Sequence, residues 1–264
     1  MAQMLLLFLA CAERVPPPET PSGGDPGKAW SSLLQEAVSD GGVDYGLVRE
    51  KREALDSYVA WISRHGPVED NMRVRQEDEK IAFYINAYNA IVVHSVLDQM
   101  PLESVQSAGS SLVPVPGWSF FFEREYMVDG EWTNLFYLEN QALVGTFQEP
   151  LVHAALNCAS KGCPRLRYWR ESDLKPRLRQ GMKKLLNSST GSRETGSGWA
   201  VSELFFWYER DFTDWSDAEN LCQYLQDYGR DELGEWLAAN SEDCPLERFE
   251  FDWSLNAVEE DGTE

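Results

Sequence analysis

The stretch EDEKIAFYINAYNAIVVHSVLDQ, from Glu77 to Gln99, reads as one helix that stops before Met100-Pro101. A residue ahead of proline is pushed out of helical geometry, so the stop is written into the sequence. Phe83, Ala87, Ala90, Ile91 and His94 make an apolar stripe along it, and His94 on that stripe reads as a satisfied core histidine rather than a base. Asn86 and Asn89, three residues apart, share the neighbouring face. Two amides on a mostly apolar helix must find partners if buried. Either they hydrogen-bond a neighbouring loop, or they orient a catalytic group or bind a substrate amide.

Outward from this helix the pattern is helix-rich. Two amphipathic helices are expected before it, Trp30 to Val38 and roughly Gly46 to Arg64, separated by Gly41-Gly42. His65 closes the second beside Gly66-Pro67, where a cation suits the helix dipole. After it comes a hairpin: Glu125-Tyr126-Met127-Val128, the turn Asp129-Gly130, then Glu131-Trp132. Asp-Gly between strand formers favours a type I′ turn. Thr133 is expected to cap a helix through Gly145, and a further helix is expected over 173–187. A loop is expected from Ser188 to Gly198. Ser216-Asp217-Ala218-Glu219 is a capping box opening a helix that Gly229 closes, and Arg248 to Trp253 alternates like a strand. The sum is an α+β, helix-rich single domain with a small antiparallel sheet.

The whole chain has 264 residues, a formal charge of −21 and 43% hydrophobic residues. That is enough apolar material for a core, so an acidic disordered chain is excluded. The charge argues against nucleic acid as partner, since neutralising phosphates takes clustered Lys and Arg. No run approaches the roughly 20 apolar residues of a membrane-spanning helix. The charge is unevenly spread. Glu203 to Glu264 holds 19 acidic and 3 basic residues, whereas Lys161 to Arg193 holds 10 basic and 2 acidic. Lys161, Arg165 and Arg167 therefore face either the acidic part or an open cleft beside Cys158, where they would favour a thiolate or an anionic ligand.

Met4-Leu5-Leu6-Leu7-Phe8-Leu9-Ala10-Cys11 followed by the Pro/Gly-rich VPPPETPSGGDPGK (Val15–Lys28) has the order of a bacterial lipoprotein signal. Phe8 stands where Leu is usual, and no Lys or Arg precedes the apolar run. An ordinary secretory signal is the alternative. The expected division is a signal over 1–11 with Cys11 as lipid attachment, a tether over 12–28, a domain over 29–256 and an acidic tail over 257–264. The domain would sit in the cell envelope, in the periplasm or outside the membrane, held to it by the lipid. Export permits disulfides among Cys158, Cys163, Cys222 and Cys244, and Cys222 with Cys244 is the first expected pair.

The densest chemistry lies in His153-Ala154-Ala155-Leu156-Asn157-Cys158-Ala159-Ser160-Lys161-Gly162-Cys163-Pro164. A thiolate nucleophile needs a base or positive surroundings and donors for an oxyanion. His153, Lys161 and the loop amides offer these. Five residues apart, His153 and Cys158 point away from each other on a helix and to opposite faces on a strand. They meet only where regular structure breaks, as at Asn157. Cys158 and Cys163 would otherwise close a short disulfide loop, or ligate a metal with His153, though a lone Cys-x4-Cys is a weak metal signature. Glu139 on the preceding helix either orients a histidine or is an exposed carboxylate. No phosphate loop, serine-hydrolase elbow or His-Glu-x-x-His is present.

Ala82 to Ala90 (AFYINAYNA), Leu138-Glu139-Asn140, the His153–Pro164 segment and the ending Phe251-Asp252-Trp253-Ser254-Leu255-Asn256 resemble the domain-of-unknown-function 547 family. Val43-Asp44-Tyr45 and Phe206-Trp207-Tyr208-Glu209-Arg210-Asp211-Phe212 fit the same pattern, so the resemblance covers nearly everything after Lys28. It implies that His153, Cys158 and Cys163 belong to the family's pattern. It also implies a departure: the family usually has His after the helix glutamate, where this chain has Asn140. The family's activity is not established. A Cys/His/carboxylate set is distantly like papain- or transglutaminase-type thiol enzymes, by analogy alone.

Two functions are expected from the sequence. The first is a cysteine-dependent hydrolase or acyltransferase of the envelope, acting on a peptide or amide bond. Cys158 would be its nucleophile, His153 its base and Glu139 the orienter, with Asn86 and Asn89 positioning groups around them. The second is a non-catalytic lipoprotein that binds a protein or small ligand, with the cysteines structural. Neither needs a cofactor.

Overall fold

A computed structural model describes residues 12–19, 24–39, 42–68, 77–109 and 113–258. Cys11 and the end of the acidic tail lie outside the described residues. The chain enters through β1 (Glu13–Val15), inside the stretch expected as a tether, and helix α1 (Pro26–Ala37). Asp25 caps α1 by accepting from the Lys28 amide at 3.0 Å, and Pro26 occupies the first turn, where no N–H is missed. β2 (Val38–Ser39) and β3 (Gly42–Val43) pair antiparallel. The single helix expected over 46–64 is broken at Lys51 into α2 (Tyr45–Glu50) and α3 (Arg52–Ile62). The break turns Tyr45 and Val48 of one piece, and Leu55, Tyr58 and Ile62 of the other, into the core.

Helix α4 (Glu77–Gln99) has the expected bounds. It is buried on every face from Ile85 to Leu97, not along one stripe. A helix apolar all round belongs in the centre of a fold, and α3 and the segments described below surround it. His94 sits at one side of it among Arg52, Asp56 and Asp98. Burial, offset in part by Asp98, holds its imidazole below the ordinary 6.5. It belongs to the core network, as its position on the stripe implied.

β4 (Arg124–Val128) and β5 (Glu131–Thr133) form the expected hairpin, with Asp129 and Gly130 at φ 54° and 80°. Both central residues are left-handed, as a type I′ turn requires. The Asp129 carboxylate accepts from the Val68 amide and the Tyr84 hydroxyl at 2.9 Å each, fastening the turn to α4. β1 adds to β4 in parallel.

The next helical stretch comprises α5 (Leu135–Tyr137), a wide π-type turn over Leu138–Val144 and α6 (Gly145–Phe147). Its cap is Asn134 rather than Thr133: the Asn134 side chain accepts from the Tyr137 amide at 2.8 Å. A 3-10 turn (Pro150–Ala154) leads to an irregular loop and then to α7 (Leu174–Leu186). The loop expected over 188–198 is instead part of a hairpin, β6 (Ser192–Thr195) and β7 (Gly198–Ser202).

Short helices α8 (Glu203–Trp207), α9 (Glu209–Asp214), α10 (Leu221–Leu225) and α11 (Asp231–Ala239) follow. Ser216 makes only a local turn, accepting from the Ala218 amide, while Asn220 caps α10. β8 (Glu247–Phe249) is shorter than the expected strand and lies parallel to β7. The class is α+β, helix-rich and built on one core, with the strands among the described residues in three small sheets of two or three. Two of them mix parallel and antiparallel pairs. Cys222 of α10 is joined to Cys244. Closing a loop of that length restricts the unfolded chain by about 3 kcal/mol.

Candidate functional site

Aromatic side chains from five separate segments converge on one cleft of about 330 Å³. On one wall Phe122 and Phe136 stack with centroids 4.4 Å apart, and Trp118, outside the lining, stacks on Phe122 at 4.3 Å. On the other, Trp207 lies against Trp253 at 5.6 Å and Phe251 against Trp253 at 4.8 Å. Phe136 and Trp207 are among the few large apolar side chains left exposed, at 44% and 46%. A folded chain normally hides such rings, so their exposure at a cleft marks a surface built for contact.

The lining also includes Glu139, Asn140, His153, Tyr88, Tyr208, Cys158 and Cys163. The 3-10 turn positions His153, which is 2% exposed. Its Nε2 lies 2.8 Å from Asp211 Oδ2, and its ring stacks on Tyr208 at 3.7 Å with Phe212 edge-on. The residue orienting His153 is therefore Asp211, not Glu139. Tyr208 and Asp211, three residues apart around the start of α9, hold one imidazole by its face and by its nitrogen.

Glu139 has other work. The wide turn over 138–144 aims it inward, where it accepts from the Tyr208 hydroxyl at 2.6 Å and bonds Tyr88 as well. Burial first, and then the Glu139 charge, raise both phenols well above 10. The two hydroxyls stay protonated and donate to the carboxylate. Asn140 lines the cleft and donates its amide N–H to the Phe136 carbonyl at 3.0 Å.

Cys158 and Cys163 are joined as a disulfide, with Cα atoms 6.2 Å apart. A sulfur bonded to sulfur is neither a nucleophile nor a metal ligand, so in this oxidised state Cys158 plays neither part. Among the described residues no group of three His, Cys, Asp or Glu could hold a metal. His153 and Cys158 do reach the same cleft, because regular structure ends at Ala154 and Ala159 takes a left-handed φ of 62°.

Asn86 and Asn89 are not among the cleft lining. Asn86 pairs with both backbone groups of Trp169, at 2.7 Å and 2.9 Å. Asn89 donates to the Ala155 carbonyl at 3.0 Å and accepts from the Asn157 amide at 2.8 Å. Asn157 in turn accepts from the Ala159 amide and from Asn256, and donates to the Pro164 carbonyl. Tyr45 donates to Asn256 at 2.8 Å. Gly42 completes the approach: a Cβ there would meet the Asn256 carbonyl at 2.2 Å. These amides hold the loop that carries the disulfide. Of the two roles the sequence left open for them, the structure displays the loop-binding one.

The fold and site together define an α+β domain with an aromatic cleft bordered by a disulfide and by the buried His153, which pairs with a half-buried Asp211. Residues 72–186 match the model of the family described as "Protein of unknown function, DUF547", which supports a place for the chain in that family. The match takes in α4, Glu139 and the His153–Pro164 segment. No curated protein and no solved structure matches the chain.

Proposed function

We propose that the protein is a binding protein of the cell envelope whose aromatic cleft takes a peptide or small molecule with a flat or apolar group. The carrying observation is the pair of facing aromatic walls with Phe136 and Trp207 open to solvent. Such walls take up a ring or an apolar side chain by stacking and by removing surface from water. The Glu139 carboxylate at the floor favours a ligand that brings an N–H or O–H donor. In this reading the Cys158–Cys163 disulfide is a piece of wall.

Tryptophan fluorescence during titration with short apolar and aromatic peptides tests it. Saturable quenching is expected in the wild type. Trp207→Ala is expected to weaken binding at least about tenfold, as truncating a central aromatic anchor does, while the melting temperature holds. Equal affinity in both proteins would sink the reading.

One observation favours a second reading: Cys158, the more exposed of the pair, opens on the same cleft as His153. Once a dithiol reductant has opened the disulfide, becoming oxidised itself, His153 would take the Cys158 thiol proton, the thiolate would attack a peptide or amide carbonyl, and the His153 imidazolium would pass that proton to the leaving amine. Water would then release the acyl group. Protein taken from the membrane fraction without reductant tests both this and the anchor. Intact mass is expected to show a lipid on Cys11 and no free thiol at Cys158 or Cys163. After reduction, rapid alkylation of Cys158 near neutral pH, slowed in His153→Ala, supports the enzyme. Alkylation indifferent to His153 removes it. Two disulfides suit an oxidising compartment, which supports the envelope location.

A further inference from the structure

The basic stretch after Cys158 has a cavity of its own. Arg165, Arg167, Arg170, Arg177 and Lys184 line a hollow of about 480 Å³ that shares no lining residue with the aromatic cleft. One wall is the face of α1 bearing Ser31 and Gln35. The extended segment over 165–170 supplies three arginines, and Arg177 and Lys184 stand two turns apart on one face of α7. No carboxylate is among the described residues of the lining.

The acidic groups nearby stand at the edges. Asp173 reaches Arg177 at 3.7 Å from an exposed position, and Asp25 and Glu171 act on Tyr168 beside Arg170. Two arginines are fixed in place: Arg165 donates to the Val38 carbonyl at 2.9 Å, and the Arg167 guanidinium lies 5.4 Å over the Trp169 ring. Burial first, and then the neighbouring charges of Arg177 and Arg165, hold the Arg167 guanidinium below its ordinary range. In a chain of net charge −21, four arginines and a lysine gathered around one hollow make a locally positive field that suits an anion.

We propose that this cavity binds a phosphate-bearing anion. Guanidinium forks match phosphate oxygens two at a time, and the Ser31 hydroxyl and Gln35 amide add neutral donors. The same chemistry is offered by a soluble polyphosphate and by an anionic phospholipid headgroup.

Calorimetric titration at low salt with inorganic pyrophosphate, alongside flotation with phosphatidylglycerol and phosphatidylcholine vesicles, tests the site. Arg170→Gln and Lys184→Gln change exposed side chains and are each expected to weaken binding about tenfold. Arg248→Gln, on β8, is expected to leave it unchanged. Pyrophosphate binding with that dependence identifies a soluble ligand. Binding to phosphatidylglycerol vesicles alone, with the same dependence, identifies a lipid headgroup. Either supports the site. No binding to either probe, or equal losses in all three variants, overturns it.

Discussion

Above pH 10 the protein is expected to unfold in one steep step rather than titrate its tyrosines singly. Nine of its ten tyrosines, Tyr45, Tyr58, Tyr84, Tyr88, Tyr126, Tyr168, Tyr208, Tyr224 and Tyr228, have pKa values raised above 10, with burial the leading cause in each. The folded chain keeps these protons at a pH where the unfolded chain has lost them. Their contribution is complete below 10 and is lost as pH rises towards the folded values. Each fully enclosed phenol takes away about 1.4 kcal/mol per pH unit above 10.

Tyr45, Tyr58 and Tyr88, all at most 3% exposed, together remove about 4 kcal/mol per unit. Against a typical stability of about 5–15 kcal/mol, unfolding within roughly two units above pH 10 follows. Tyrosinate absorbance and circular dichroism should change together. A gradual rise in tyrosinate while the dichroism stays native would refute it.

How much of this was legible in the sequence depends on whether the signal was local. The bounds of α4 follow from Met100-Pro101, and the β4–β5 hairpin from Asp129-Gly130, because backbone sterics act over one or two residues. The β6–β7 hairpin was missed because Arg193 and Glu194 are exposed and carry no apolar alternation. The observed caps lie beyond the expected Thr133 and Ser216, because an asparagine stands one residue on in the first case and four in the second. Within the site, the His153 segment was legible as chemistry but its partners were not. Asp211 is 58 residues away, and nothing local ties it to an imidazole. The signal that existed was the spacing of Tyr208 and Asp211, a ring and a carboxylate on one side of a helical turn. The loop that carries Cys158 and Cys163 is held by Asn157 within it and by Asn89 and Asn256 from distant segments, which no local pattern shows.

Replacing Glu139 is expected to damage stability and binding together, and this separates a floor of the cleft from an ordinary surface carboxylate. Glu139→Ala removes the acceptor for two enclosed phenols, Tyr88 and Tyr208. Each hydroxyl left without a partner costs about 1–3 kcal/mol, so a total of roughly 2–5 kcal/mol and a fall of about 5–15 °C in Tm are expected. Tyr208 is also the ring on which His153 lies, at 3.7 Å. Releasing its hydroxyl frees the plate that, with Asp211, fixes the imidazole. Peptide affinity should therefore fall along with Tm, although Glu139 lies far from Trp207 in sequence. Glu139→Gln keeps one acceptor oxygen at the same reach and should recover a substantial part of both. Were Glu139→Ala to melt like the wild type, the two tyrosines would have to find other acceptors, and the carboxylate would be free to meet a ligand directly.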